Sequence, residues 1–217
     1  MSTEREKQMA GEAAAGLVED HMSVGLGTGS TVAFLLPALA KRGLELRCFA
    51  TSPATERAAR EVGLSVEPFG TVDHLDITID GADQVAPDGW LVKGGGAAHT
   101  REKIVAAAAA RFVVIVDATK AVDALHPPIP LELLEFGLGA TLRRLGSVTQ
   151  RDVPRSPDGG IIADYHGPVD DPVGLAASLS ATPGVVEHGL FPPELVSLVL
   201  TGQGRSVDWT EPGPRRL

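Results

Sequence analysis

The stretch "SVGLGTGSTVAFLLPALAKRG" (residues 23–43) decides the architecture. Residues 23–27 read as a strand, and the remainder reads as a turn followed by a helix that ends on Gly43. The glycines let backbone approach a ligand closely. The helix start offers unbonded N–H groups and a partial positive charge to an anion. Thr28, Gly29, Ser30 and Thr31 form the turn, three of them carrying hydroxyl groups. The same residues would also serve an ordinary strand–helix turn. A dinucleotide loop fits less well, because Ser30 replaces the third glycine of G-x-G-x-x-G and the next strand ends in Thr51-Ser52 rather than an acid. A single phosphate is the better ligand.

Working outward, the pattern repeats. Residues 4–21 read as a helix, "LELRCFAT" (44–51) as a strand and "SPATERAAREVG" (52–63) as a helix with Ser52 as N-cap and Pro53 in its first position. "LSVEPF" (64–69) is a short strand, "LDITIDGA" (75–82) alternates like one, and "WLVKGGG" (90–96) is another. "REKIVAAAAAR" (101–111) is helical. "FVVIVDAT" (112–119) is the continuous apolar run of a strand buried on both faces. Strand–helix alternation of this kind predicts an open α/β sheet.

"HPPIP" (126–130) breaks the pattern. Beyond it come a strand (131–136), a helix (137–146), a strand (148–153), the turn "SPDGG", a strand (161–166), a helix (171–184) and a strand, "VVEHGLF" (185–191). That order is βαββαβ, a ferredoxin-like unit. "ELVSLVLTG" (194–202) returns to the first sheet. The expected fold class is therefore α/β with a smaller α+β unit. The division is 1–126 with 200–217 against 127–199, with a cleft between the units or at the sheet's carboxyl edge.

Composition limits the partners. The chain of 217 residues carries a net charge of −9 and only 4% aromatic residues, which argues against nucleic acid. Cys48 is the single cysteine, so there is no disulfide framework, and a cytoplasmic address is expected. The N-terminus is charged from Glu4 onward and lacks the apolar core of a signal peptide. No apolar run approaches the ~18 residues of a membrane span. The six histidines form no H-x-x-x-H pair and the acids no EF-hand loop, so no metal and no cofactor are expected.

The chemistry concentrates between residues 80 and 120. Asp80, Gly81, Ala82 and Asp83 stand at the carboxyl end of a strand, where α/β sheets bind ligands, although Asp-Gly turns are common on surfaces. Lys93 precedes Gly94, Gly95 and Gly96, a run suited to backbone contact with a ligand. In "HTREK" (99–103), Thr100 is the expected N-cap and Glu102 lies in the first turn, where any helix favours an acid. "VDATK" (116–120) ends a buried strand with Lys120. Arg101 and Lys103 would lower the pKa of Glu102, whereas burial and the two aspartates would raise it; the sequence leaves both directions open.

Taken together, "GLGTGST", "DGAD", "KGGGAAHTREK", "VDATK" and "PGVVEHGLF" resemble the type A ribose-5-phosphate isomerases over almost the whole chain. The resemblance implies a Rossmann-like large domain, a ferredoxin-like lid and a homodimer or homotetramer. It implies metal-free interconversion of D-ribose 5-phosphate and D-ribulose 5-phosphate. By that resemblance Glu102 is the base moving a proton between C2 and C1. Asp80 and Asp83 contact the sugar and assist ring opening, and Lys93 faces the ring oxygen and the developing oxyanion. The loop 28–31, Gly81, Ala82, the run 93–96 and Lys120 bind substrate. Gln84 stands where the family usually has Glu, and His99 where an apolar residue is common, a position expected near the sugar. The competing readings are an isomerase-like protein for another sugar phosphate and a non-catalytic sugar-phosphate sensor.

Overall fold

The computed structural model describes residues 2–212. The expected first unit also included residues 213–217, which lie outside the described residues. The first half contains α1 (Thr3–Ala15), β1 (Ser23–Leu26), α2 (Val32–Ala40), β2 (Arg47–Ala50), α3 (Pro53–Glu61) and β3 (Leu75–Asp80). Two short strands, β4 (Gln84–Val85) and β5 (Leu91–Val92), precede α4 (His99–Ala107) and β6 (Ala109–Asp117). Then follow β7 (Ile129–Leu133), α5 (Leu138–Leu145), β8 (Val148–Gln150), β9 (Ile161–Tyr165), α6 (Pro172–Ser180) and β10 (Val185–His188). The chain closes with β11 (Leu190–Phe191), β12 (Leu198–Gln203) and β13 (Ser206–Thr210).

The main sheet has the order β13-β12-β6-β3-β1-β2, parallel from β2 to β12, with β13 antiparallel at one edge. Strand order reverses at β1, which has β2 on one side and β3 on the other. The crevice past the carboxyl ends of β1 and β3 is thus the expected place for a ligand. β6 explains why the sheet is covered on both faces. Val113 and Ile115 pack with Leu26, Ile77 and Leu35, while Phe112, Val114 and Val116 pack with Phe191 and Val199. Strand alternation turns one apolar run into two cores. Ala10, Gly11 and Ala14 line the buried face of α1, and their small side chains let it lie close to α2 and the sheet.

The second sheet has the order β10-β7-β9-β8 with antiparallel pairing throughout, which is the arrangement of a βαββαβ unit. Leu131, Leu133, Ile161 and Ala163 form its core with Leu179 of α6 and Leu138 and Leu142 of α5. β11, β5 and β4 make a small third sheet between the two.

Several expected boundaries move. The first helix stops at Ala15, not at residue 21. Residues 64–69 form no strand; beside β2 they make a single Cys48–Val66 bridge, an Arg47–Glu67 ion pair at 2.8 Å and an edge-on Phe49–Phe69 contact. Only Leu91 and Val92 of 90–96 pair as strand, since the glycines turn away. Ala109, Ala110 and Arg111, expected in a helix, extend β6, because sheet pairing with β3 overrides alanine's helix preference. The run 185–191 is two strands in two different sheets. They hinge at Gly189, whose N–H donates to Pro130 O at 2.7 Å and whose carbonyl accepts from Lys93 N at 2.8 Å. A Cβ on Gly189 would lie 2.1 Å from the Lys93 carbonyl oxygen. Gly189→Ala is therefore expected to destabilise the protein by about 1–3 kcal/mol and to lower activity by shifting Lys93. Thermal unfolding and a rate assay check this; wild-type values in both would contradict it.

Candidate active site

The crevice predicted by the sheet topology is a solvent-open cavity of about 110 Å³. The loop after β1 lines it with Thr28, Gly29, Ser30 and Thr31; the turn after β3 with Gly81, Ala82 and Asp83; the turn after β5 with Lys93, Gly94, Gly95 and Gly96. Glu102 enters from α4, and Lys120 from the 3₁₀ turn after β6. Asp117 caps that turn by accepting from Thr119 N at 3.0 Å. Asp80 is the one candidate that lies beneath the cavity floor instead of on its wall. It is 1% exposed, and its carboxylate accepts from Thr28 N at 3.0 Å and Gly81 N at 2.7 Å. Gly27 makes room for it, since a Cβ there would sit 1.9 Å from Asp80 Oδ1.

Lys93 organises the centre. Its Nζ lies 2.8 Å from Asp80 Oδ2 and 3.1 Å from Glu102 Oε2, and donates to Gly81 O at 2.5 Å. The Phe191 ring covers it, 5.4 Å from Nζ to the centroid. Burial works against the ammonium, yet Asp80 and Glu102 outweigh that and raise its pKa above the ordinary value, so Lys93 stays charged. Two acids share this one cation. Burial pushes Asp80 up while Lys93 and the two backbone donors pull it down. Burial, then the negative charge of Asp80, push Glu102 up to about 8, against the opposing pull of Lys93. The pair titrates as a unit, and its second acid is held near neutrality, as a base that must take and return a proton requires.

Local structure isolates Glu102 from its charged neighbours. The buried positions of α4 are His99, Glu102, Val105 and Ala106, one helical stripe. Arg101 and Lys103 point elsewhere: Arg101 grips Asp158 with two hydrogen bonds of 2.7 Å, and Lys103 donates to Glu187 at 2.6 Å and to His188 O at 2.7 Å. Thr100 is not the N-cap. The helix begins at His99, and the Thr100 hydroxyl donates to Glu132 of β7, which also accepts from Ser156. The lowering influence of Arg101 and Lys103 on Glu102 is thus removed by geometry. His99 is also placed differently from expectation. It is fully buried behind the glycine turn against Gly94, and burial together with Lys103 pushes its pKa down to about 4, so its ring is neutral.

The structure adds residues the sequence reading did not single out. Thr28 Oγ1 lies 2.9 Å from Thr51 Oγ1 and 3.1 Å from Thr55 Oγ1, and Thr55 donates to Gly27 O at 2.9 Å. Hydroxyls at the end of β2 and the start of α3 thereby brace the loop after β1. Thr51 was legible only as part of a strand end that lacks a ribose-binding acid. Ser52 does cap α3, accepting from Thr55 N at 3.1 Å. Gln84 turns from the cavity to His126, donating to its carbonyl at 2.8 Å. Cys48 is buried in β2 and burial pushes its thiol up to about 11, so it is inert core.

Fold and site define an α/β acid–base centre for a small anionic substrate: a buried carboxyl near neutrality, an ammonium beside it, and a glycine-lined cradle at a helix start. Comparison with known proteins names the family. Residues 47–205 match the family model for ribose 5-phosphate isomerase A (phosphoriboisomerase A). A relative from Caulobacter vibrioides, named ribose-5-phosphate isomerase A, is 42% identical over 98% of this chain and all of its own length. The crystal structure of ribose 5-phosphate isomerase A from Neisseria gonorrhoeae superposes with a TM-score of 0.93 at 31% identity, covering 98% of this chain and 99% of that one. A D-ribose-5-phosphate isomerase in complex with phospho-erythronic acid gives 0.91 at 34% identity, covering 97% of this chain and 100% of that one. The chain belongs to the ribose 5-phosphate isomerase A family.

The raised pKa of Glu102 has a consequence for stability. The folded state holds this proton more tightly than the unfolded chain, whose glutamates titrate near the ordinary value of 4.5. Its contribution is complete below that value and is lost as pH rises through about 8. Glu102→Gln, neutral at every pH, is expected to gain on wild type over this window, by on the order of a few kcal/mol at its upper end. Denaturant unfolding at several pH values checks this; a constant difference would contradict it.

Proposed function

We propose that this chain interconverts D-ribose 5-phosphate and D-ribulose 5-phosphate through an enediolate. The observation that carries the reading is the contact of Lys93 Nζ with both Asp80 and Glu102 at the edge of a glycine-lined cavity. The loop 28–31, at the start of α2, takes the phosphate with N–H groups and hydroxyls, and Lys120, also on the cavity wall, adds a positive charge. Anchored there, the sugar presents C2 and C1 to Glu102. Asp83 faces the sugar from the cavity wall, and Asp80 acts from beneath, through Lys93. Together they assist ring opening. The Glu102 carboxylate removes the C2 proton and returns it to C1. Lys93 and the N–H groups of the glycine turn hold the oxygen that becomes negative. The phospho-erythronic acid bound in the related structure fits this reading: a phosphate ester with a planar carboxylate resembles the enediolate in shape and charge.

Residues 1–126 with 200–217 form the catalytic unit in this reading, and 127–199 a lid and oligomerisation unit. The exposed Phe136 and Leu134 beside the edge strand β10 favour a homodimer or homotetramer. No described helix is long and apolar enough to cross a membrane, and we place the enzyme in the cytoplasm.

A coupled assay for ribulose 5-phosphate tests the reading. Activity is expected with ribose 5-phosphate and should survive exhaustive chelation. kcat/KM should rise with pH through a limb near about 8, where Glu102 loses its proton. Glu102→Gln should lower kcat by ~10²–10⁴-fold with KM little changed. Replacing Ser30 and Thr31 by alanine should instead raise KM, at about 1.5–3 kcal/mol for each charge-assisted hydrogen bond lost. No isomerisation by wild type, or a Glu102→Gln rate equal to wild type, would overturn the assignment.

A further inference from the structure

The run Gly94–Gly96 carries no side chain by which its own residues could fix its conformation, and Gly94 has a φ of +107°. Within the turn, Ala97 N donates to Gly94 O at 3.1 Å; the side-chain restraint on its carbonyls comes from Arg151, immediately after β8 in the other sheet. Arg151 Nε and Nη2 each donate to Asp164 at 2.6 Å, which locks the plane of the guanidinium. Its Nη1 then reaches two successive carbonyls, Gly94 O at 3.0 Å and Gly95 O at 3.3 Å. In a trans peptide the N–H points opposite to the preceding C=O. Holding the Gly94 carbonyl therefore aims Gly95 N–H the other way, and there it meets Asp83 Oδ2 at 2.8 Å. Holding the Gly95 carbonyl likewise turns Gly96 N–H away from Arg151.

We propose that Arg151 is a positioning residue for the isomerisation: by gripping two glycine carbonyls it presents the opposite N–H groups of the turn, one to Asp83 and one to the reacting sugar oxygens. This rests on the function proposed above. Arginine is required, since one planar fork must serve a carboxylate and two carbonyls at once, which a lysine ammonium on a flexible stem does not do. A chamber of about 300 Å³ bordered by Asp83, Gly95, Lys120 and Arg151 lies against the turn, so a small cation could enter where the side chain is removed.

Kinetics and amide hydrogen exchange test the proposal on the full chain. Arg151→Ala should lower kcat by about 10²-fold, the size of one lost oxyanion donor, with KM within about threefold of wild type. Arg151→Lys should not restore the rate. Millimolar guanidinium should recover a large part of kcat in Arg151→Ala while leaving wild type unchanged, and methylammonium should not. Amides of residues 94–97 should exchange faster in Arg151→Ala. Asp164→Asn, which keeps the cation and loosens its grip, should show the same pattern at smaller size and carries the test if Arg151→Ala does not fold. A kcat near wild type with unchanged exchange overturns the proposal. So does a rate loss that merely follows the unfolded fraction and is not recovered by guanidinium. If wild type itself does not isomerise ribose 5-phosphate, the function fails, whereas the exchange of residues 94–97 still decides whether Arg151 sets the turn.

Discussion

One buried cation between two acids is the constraint on which the rest of the structure depends. Lys93, Asp80 and Glu102 are all at most 3% exposed, so one negative charge is left over in a low-dielectric place. Charges there are tolerated only when paired and hydrogen-bonded. Asp80 meets that demand through Thr28 N, Gly81 N and Lys93. Glu102 meets it less completely and shifts its pKa instead. A carboxyl that is costly to ionise is a better proton acceptor once ionised. The same imbalance that burdens the fold therefore suits the group to proton transfer between carbons.

Holding that arrangement requires both sheets. The main sheet supplies Asp80 and the loop after β1. Lys93 sits at the end of β5, its backbone tied to Gly189 where the chain passes between sheets. The second sheet and its β8–β9 turn anchor the helix carrying Glu102 through three contacts, Thr100 to Glu132 of β7, Arg101 to Asp158 of the turn and Lys103 to Glu187 of β10. The triplet Arg-Glu-Lys then makes sense as a unit: its outer residues grip the β8–β9 turn and β10, and the middle one alone faces the cleft. Truncating either anchor would loosen Glu102 without touching the cavity wall.

Much of this was legible in the sequence, for identifiable reasons. A continuous apolar run revealed β6, and glycine with hydroxyl residues between a strand and a helix revealed the loop at 28–31. The cluster of acids, lysine and glycines located the centre. What stayed hidden depends on distant partners. Thr100 looks like a cap locally, but Glu132 claims its hydroxyl from another sheet. Ala109 and Ala110 look helical until β3 offers them a ladder. His99 was expected near the sugar, yet the helical stripe that carries Glu102 inward carries His99 behind the turn. Arg151, Thr51 and Thr55 carry no local motif at all; only the fold brings them to the site.

The most direct test of the central claim follows the proton itself. Ribose 5-phosphate deuterated at C2 is incubated in ordinary water with wild type and with Glu102→Gln, and loss of deuterium from C2 is followed by NMR. Wild type is expected to release the label as it isomerises, while Glu102→Gln, its ring-opening groups intact, should retain it. Washout by Glu102→Gln at the wild-type rate would contradict the account, reduce Glu102 to an acid at a helix start, and move the search for the base to Asp83 or Asp80.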